Sequence, residues 1–246
     1  MTPSYKAIHY NQGAIWWDET TQLPLIHTKE ERNTWTHIII DEGVKAVPPY
    51  TFFGCEHVTL ITMYDSLERL ENHCFSHNKR LVKIIWSKKL KYIGYCCFYG
   101  CLSLEAAYIP SSCRQLDYAT FEKCIKFKIL SASLATKLCY GVILDTKLLE
   151  LSPFEGYERD GSNNHSINHW IKFRHNGQPH LQLHKICFGL NPTIEKISEA
   201  IRLQGNDSMW IKDDIGVTAF EYLVLNPTCD MDVVNDFVLR ILDFFR

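Results

Sequence analysis

Residues 104–124 read Leu104-Glu105-Ala106-Ala107-Tyr108-Ile109-Pro110-Ser111-Ser112-Cys113-Arg114-Gln115-Leu116-Asp117-Tyr118-Ala119-Thr120-Phe121-Glu122-Lys123-Cys124. The same pattern stands upstream at a fixed interval. Phe52, Phe75, Phe98 and Phe121 fall 23 positions apart, and three places after them come Cys55, Asn78, Cys101 and Cys124. Three further on stand Val58, Leu81, Leu104 and Phe127. Before the phenylalanines run Val47, Leu70, Ile93 and Leu116, and Val44, Leu67, Leu90 and Cys113. Two more registers hold Ile38, Ile61, Ile84 and Ala107, then Ile40, Met63, Trp86 and Ile109. A helix or strand repeats every 3.6 or 2.0 residues and cannot by itself return a whole pattern after 23. A solenoid can, because each coil turns once and stacks on the last.

Within one coil, Leu81-x-x-Ile84-x-Trp86 has the alternation of a short strand with Ile84 and Trp86 inward. Ser87-Lys88-Lys89 turns the chain, and Leu90, Ile93 and the region of Phe98 line the opposite wall. The registers together, L-x-x-L-x-L-P-x-x-L-x-x-I-x-x-x-A-F-x-x-C-x-x-L, resemble the 23-residue leucine-rich repeat of the BspA-like class, common in unicellular algae and protists. The resemblance covers roughly residues 35–154. It implies a short leucine-rich-repeat solenoid with one short strand per coil, in an α+β repeat protein that binds other proteins. Asn78 departs from the Cys slot and Ala107 from a large apolar slot. The fifth unit fades after Leu130, which predicts a capping coil.

Composition points the same way. The chain has 246 residues, a formal charge of −2 and 22% charged residues, a globular profile that argues against binding nucleic acid by bulk charge. Six of its ten cysteines sit in the recurring slots, where Cys serves as a small buried hydrophobe with a weak donor. Asn78 is expected to bond the same turn backbone through its amide. The rival reading, zinc held by Cys96, Cys97 and Cys101, lacks the second ligand pair that zinc sites use. No apolar run is long enough to span a bilayer and no signal-like core follows Met1, so the expectation is a cytoplasmic, intracellular protein with reduced thiols and chance Asn-x-Ser sequons at Asn164 and Asn206.

Four segments follow: a cap at 1–36, the solenoid at 37–154, a linker at 155–164 and a helical unit at 165–246. Apolar runs around Asn11-Gln12-Gly13 predict a hairpin over the open end of the first coil. A short helix is expected near 166–171. Asn191-Pro192 reads as N-cap and first turn of a helix stopped by Gly205, and a helix follows Asp230. Leu183-His184-Lys185-Ile186-Cys187 and Asp213-Asp214-Ile215-Gly216-Val217-Thr218-Ala219-Phe220 resemble the L-H-x-A-C and D-x-x-G-x-T-P-L-H portions of the ankyrin repeat, with Glu221 in place of its His.

A search for chemistry finds no nucleophile elbow, Walker loop, dinucleotide loop or H-E-x-x-H pair. The reading is non-enzymatic, with no cofactor. Two histidine pairs, His165 with His169 and His180 with His184, leave open a zinc-binding domain or metal-dependent hydrolase. Lys79, Arg80, Lys83, Lys88, Lys89 and Lys91 form a basic cluster that leaves open a weak acidic-partner or nucleic-acid site. The leading candidate is the outward side of the strands. There Ile39, Thr62, Ile85 and Tyr108 line up beside Leu60, Lys83, Ala106 and Ile129, unusually apolar for a solvated face. Either a protein partner binds through Ile39, Leu60, Thr62, Lys83, Ile85, Tyr108 and Ile129, or the chain's own ends cover them.

Overall fold

The structure, a computed structural model, describes residues 7–10, 29–133, 135–150, 181–188, 191–213, 216–226 and 229–244. The 23-residue units wind into a parallel β-solenoid. Strands β1 (Ala7–Tyr10), β2 (His37–Ile40), β4 (Leu60–Met63) and β6 (Lys83–Ile85) form one sheet, and β8 (Ala106–Tyr108) pairs with β10 (Ile129–Ser131). The opposite wall is a ladder of two-residue strands: β3 (Ala46–Val47), β5 (Arg69–Leu70), β7 (Tyr92–Ile93), β9 (Gln115–Leu116) and β11 (Lys137–Leu138). Register follows the period, with Ile38 opposite Ile61 and Ile61 opposite Ile84. The first ladder is interrupted between β6 and β8, where Ala107 is the smallest of the inward residues.

Phenylalanine holds the coils together. Phe52, Phe75, Phe98 and Phe121 stack nearly parallel through the core, with centroids 5.4, 5.5 and 5.6 Å apart. Each buried aromatic ring contributes about 1.5–3 kcal/mol relative to exposure. Trp35 and Tyr10 close the first coil edge-on against Phe52. Strand β1 does so as a parallel neighbour of β2. It is thus an added sheet strand; the expected hairpin turn at Asn11–Gly13 lies outside the described residues.

The third side is a tight turn in which every second amide donates to the next coil. Phe52 N donates to Cys74 O, Phe75 N to Cys97 O, Phe98 N to Thr120 O and Phe121 N to Val142 O. This requires left-handed backbone on both sides of the phenylalanine. Tyr50, His73, Cys96 and Ala119 take φ between 49 and 58°, and Gly54, His77, Gly100 and Lys123 between 59 and 69°.

The fifth coil continues the solenoid. Its strands are in place and Val142, Ile143 and Leu144 are buried. The repeat fades to the eye because this unit is one residue shorter: Leu116 pairs with Leu138, not with residue 139.

Two short helices flank the coils, α1 (Lys29–Arg32) and α2 (Lys147–Glu150). The C-terminal region is helical: α3 (Gln182–Phe188), α4 (Ile194–Gln204), α5 (Ala219–Leu225) and α6 (Met231–Phe244). Thr193, not Asn191, caps α4, accepting from Lys196 N, and Gly205 ends it at φ 82°. Thr218 and Glu221 cap α5 reciprocally, a capping box that explains Glu at this position. The short helix expected at 166–171 falls outside the described residues. No helix among the described residues is long and apolar enough to cross a membrane.

Candidate functional site: the strand face

The outward side chains stand in two rows. Ile39, Thr62 and Ile85 are direct cross-strand partners, as are His37, Leu60 and Lys83. Ile39, Leu60 and Thr62 are half-buried, Lys83 is exposed and Ile85 is 38% exposed. Val82 and Tyr64, next to these strands, are 53% and 49% exposed. His37 belongs to the face: its Nε2 lies 2.9 Å from Thr62 Oγ1. Burial and the neighbouring His9 lower its pKa, favouring the neutral ring. Strand β1 brings His9 opposite Ile39, and His9 Nδ1 stands 2.7 Å from Asp41 Oδ1. His37 stands 23 residues before Leu60 in the same row, whereas His9 lies outside the period and joins the face only through the pairing of β1.

The rows stop at Tyr108. Tyr108 and Ile129 are fully buried, so they are no part of an exposed stripe. The Tyr108 ring lies 6.3 Å from Phe188 of α3, which stands edge-on to Tyr222 of α5 at 5.3 Å. The Tyr108 hydroxyl donates to Tyr222 O at 2.7 Å. The helical unit therefore meets this face at Tyr108, in the fourth coil, while Ile85 in the third stays exposed.

The basic cluster resolves into rungs between coils. Lys79 meets Glu56 at 2.9 Å, Lys91 meets Glu68 at 2.6 Å, and Lys88 N bonds Asp65. Each partner is 23 residues earlier, so the period that gathered the lysines also supplied acids one coil below. Such exposed pairs contribute about 0–1 kcal/mol, and they set an acid beside Lys79 and Lys91.

The cysteines pack as the slots require. Cys101 and Cys124 donate to Phe75 O and Phe98 O at 3.4 and 3.1 Å, and Cys74 and Cys97 meet sulfur to sulfur at 3.3 Å. Burial pushes the Cys55 thiol up to about 12 and Cys113 to about 11, and holds Cys97 and Cys101 well above the usual thiol range. These are poor thiolate ligands and poor nucleophiles. Asn78 does not bond the turn backbone as expected: neither its Oδ1 nor its Nδ2 has a hydrogen-bond partner. Among the described residues, no group of three His, Cys, Asp or Glu is placed to hold a metal. His184 is buried with its Nε2 2.8 Å from Ile211 O, while His165, His169 and His180 lie outside the described residues.

Comparison with known proteins agrees with the coil geometry. Residues 30–138 match, in six copies, a family model described as a BspA type leucine rich repeat region. Similar solved structures include a leucine-rich repeat protein from Bacteroides ovatus (16% identity, TM-score 0.38, covering 51% of this chain and 41% of that one). Another is a leucine rich cell surface protein from Faecalibacterium prausnitzii (20% identity, TM-score 0.35, 40% of this chain and 32% of that one). The Treponema pallidum leucine rich repeat protein is a third (16% identity, TM-score 0.31, 45% and 76%). The chain thus spans less than half the length of the first of these. No curated protein matches the sequence. Over residues 30–138, then, this chain is similar to the BspA type leucine rich repeat.

Proposed function

We propose that the chain is a non-catalytic protein-interaction module whose open strand face, carrying Ile39, Leu60, Thr62, Lys83 and Ile85, takes a protein partner. Leucine-rich-repeat proteins are commonly interaction modules, and fold alone does not name a partner. The observation that carries the reading is the division of the face. The helical unit packs on Tyr108, Ile129 is buried as well, and Ile85 stays exposed beside Lys83 and Val82. Solvent-facing apolar rows of this kind mark interaction sites. Tyr108 then acts from beneath, by seating the helical unit.

We read the chain as a cap at 1–36, a solenoid at 37–154 and a linker at 155–164, the last lying outside the described residues. The helical unit is read as ankyrin-like: His184 bridges to Ile211 O, and Asp213 accepts from Val217 N ahead of the capped helix α5. The free state of all ten cysteines supports a reducing, intracellular setting. The test compares proteins captured by the wild type and by Val82→Asp/Ile85→Asp at matched melting temperature. Loss of a specific set with the variant supports the face, and identical sets reject it.

A further inference from the structure

The turn side of the solenoid carries two columns of rings that the repeat pattern does not require. Tyr50, His73, Tyr95, Tyr118 and Tyr140 form the first, with successive centroids 4.8, 5.0, 5.5 and 5.2 Å apart. Phe53, His77 and Tyr99 form the second at 5.2 and 5.3 Å, and Lys123 Nζ completes it 5.3 Å from the Tyr99 ring. The columns share the walls of one surface groove of about 410 Å³, closed by Cys96 and Glu122. Tyr95 and Tyr118 are 38% and 37% exposed there. This is a different surface from the strand face, and its columns span five and four coils without interruption.

The chemistry of the groove narrows its ligand. Burial, together with like-charged neighbours, lowers the pKa of both His73 and His77, so the imidazoles favour their neutral form. The charged groups Glu122 and Lys123 are adjacent and offset one another. An uncharged ligand complements such a site better than a phosphate or a carboxylate does. The first column alternates its contacts: Tyr50 lies on His73 at 7° and Tyr95 on Tyr118 at 19°, while His73 stands edge-on to Tyr95 at 79° and Tyr118 is tilted to Tyr140 at 33°. Such alternation makes a ridged wall rather than a flat platform for stacking a base or a sugar. Two ring steps advance about 10 Å along the axis, close to the ~9 Å turn of a polyproline II helix, three residues at 3.1 Å. That helix has no internal hydrogen bonds and presents bare carbonyls, which phenolic hydroxyls and neutral imidazoles can donate to. The walls are preorganised, since Tyr50 N, His73 N and Cys96 N each donate to a carbonyl of the next coil.

We infer that this groove binds a proline-rich segment of a partner protein in the polyproline II conformation, the tyrosine ridges seating every third proline. The test titrates the full chain with a decaproline peptide, read by calorimetry, beside a Gly-Ser peptide of equal length, chitotetraose and oligothymidylate. Saturable binding of decaproline alone is expected. Tyr95→Ala/Tyr118→Ala should weaken it about tenfold or more, Tyr95→Phe/Tyr118→Phe less, and Val82→Asp/Ile85→Asp not at all. The last arm separates this groove from the strand face, whose own failure would leave decaproline binding intact. The inference is overturned by no saturable binding at millimolar peptide, by equal binding of the Gly-Ser peptide, by selective binding of the sugar or the oligonucleotide, or by undiminished binding in folded Tyr95→Ala/Tyr118→Ala and Tyr95→Phe/Tyr118→Phe.

Discussion

The hydroxyl of Tyr108 donates at 2.7 Å to the carbonyl oxygen of Tyr222, 114 positions further along the chain. Tyr222 lies in the last turn of α5 (Ala219–Leu225), where carbonyls have no partner within the helix. One phenol thus satisfies a helix end and fastens the helical unit to the solenoid. Tyr108→Phe keeps the ring and orphans the carbonyl, so it should cost about 1 kcal/mol in denaturant unfolding. Tyr108→Ala also leaves a cavity and should cost about 3–5 kcal/mol. Both should speed proteolysis within 181–244 before the solenoid is cut. Cleavage at the wild-type rate would show that the two parts do not depend on this contact.

Gly94 packs directly against the preceding coil. A Cβ there would stand 2.7 Å from Asn72 Oδ1 and 2.9 Å from Asn72 N. Asn72 cannot swing away freely, because its Oδ1 accepts from Tyr95 N. Gly94→Ala should therefore destabilise by about 1–3 kcal/mol, seen as a lower denaturation midpoint. An unchanged midpoint would mean that the coils are not packed this closely.

Asn78 occupies a thiol slot without using it. Its amide is buried with neither polar atom bonded, while Cys101 and Cys124 in the same slot donate to turn carbonyls. Leaving such groups unmade costs about 1–3 kcal/mol. Asn78→Cys should raise stability by about 1 kcal/mol in the same assay, and a loss of stability would contradict the slot's chemistry.

Stability should fall below neutral pH. His37, His73 and His77 have folded pKa values below their ordinary 6.5, chiefly through burial. The unfolded chain then binds more protons in that range, so the stabilisation is complete above 6.5 and is lost as pH falls through it. All three rings are partly exposed, which keeps the effect modest. Denaturation midpoints at about pH 7.5 and about pH 5.5 should differ in that order, and His73→Gln should shrink the difference. Equal midpoints would argue against buried neutral rings in the turn columns.

Much of this was legible in the sequence, for a definite reason. Stacked coils must repeat their inward residues in register, so Phe52, Phe75, Phe98 and Phe121 announce their own stack. The strand rows followed from simple alternation. The left-handed corners did not, since glycine fills only Gly54 and Gly100 among the eight corner positions of four coils. The fifth coil was masked by a single missing residue before Leu138. The fate of Tyr108 and Ile129 lay beyond periodicity. Their register points outward, and at Tyr108 it is the docking of Phe188 and Tyr222, far along the chain, that turns the face into core.

The central claim is that the helical unit divides the strand face into a covered part and an open part. Hydroxyl-radical footprinting of the intact chain reads this side chain by side chain. Tyr108 and Tyr118 are the same residue type ten positions apart, with exposures of 0% and 37%. Tyr118 should be oxidised readily, Ile85 and Val82 should be labelled, and Tyr108 and Ile129 should be protected. Oxidation of Tyr108 as fast as Tyr118 would contradict the division of the face.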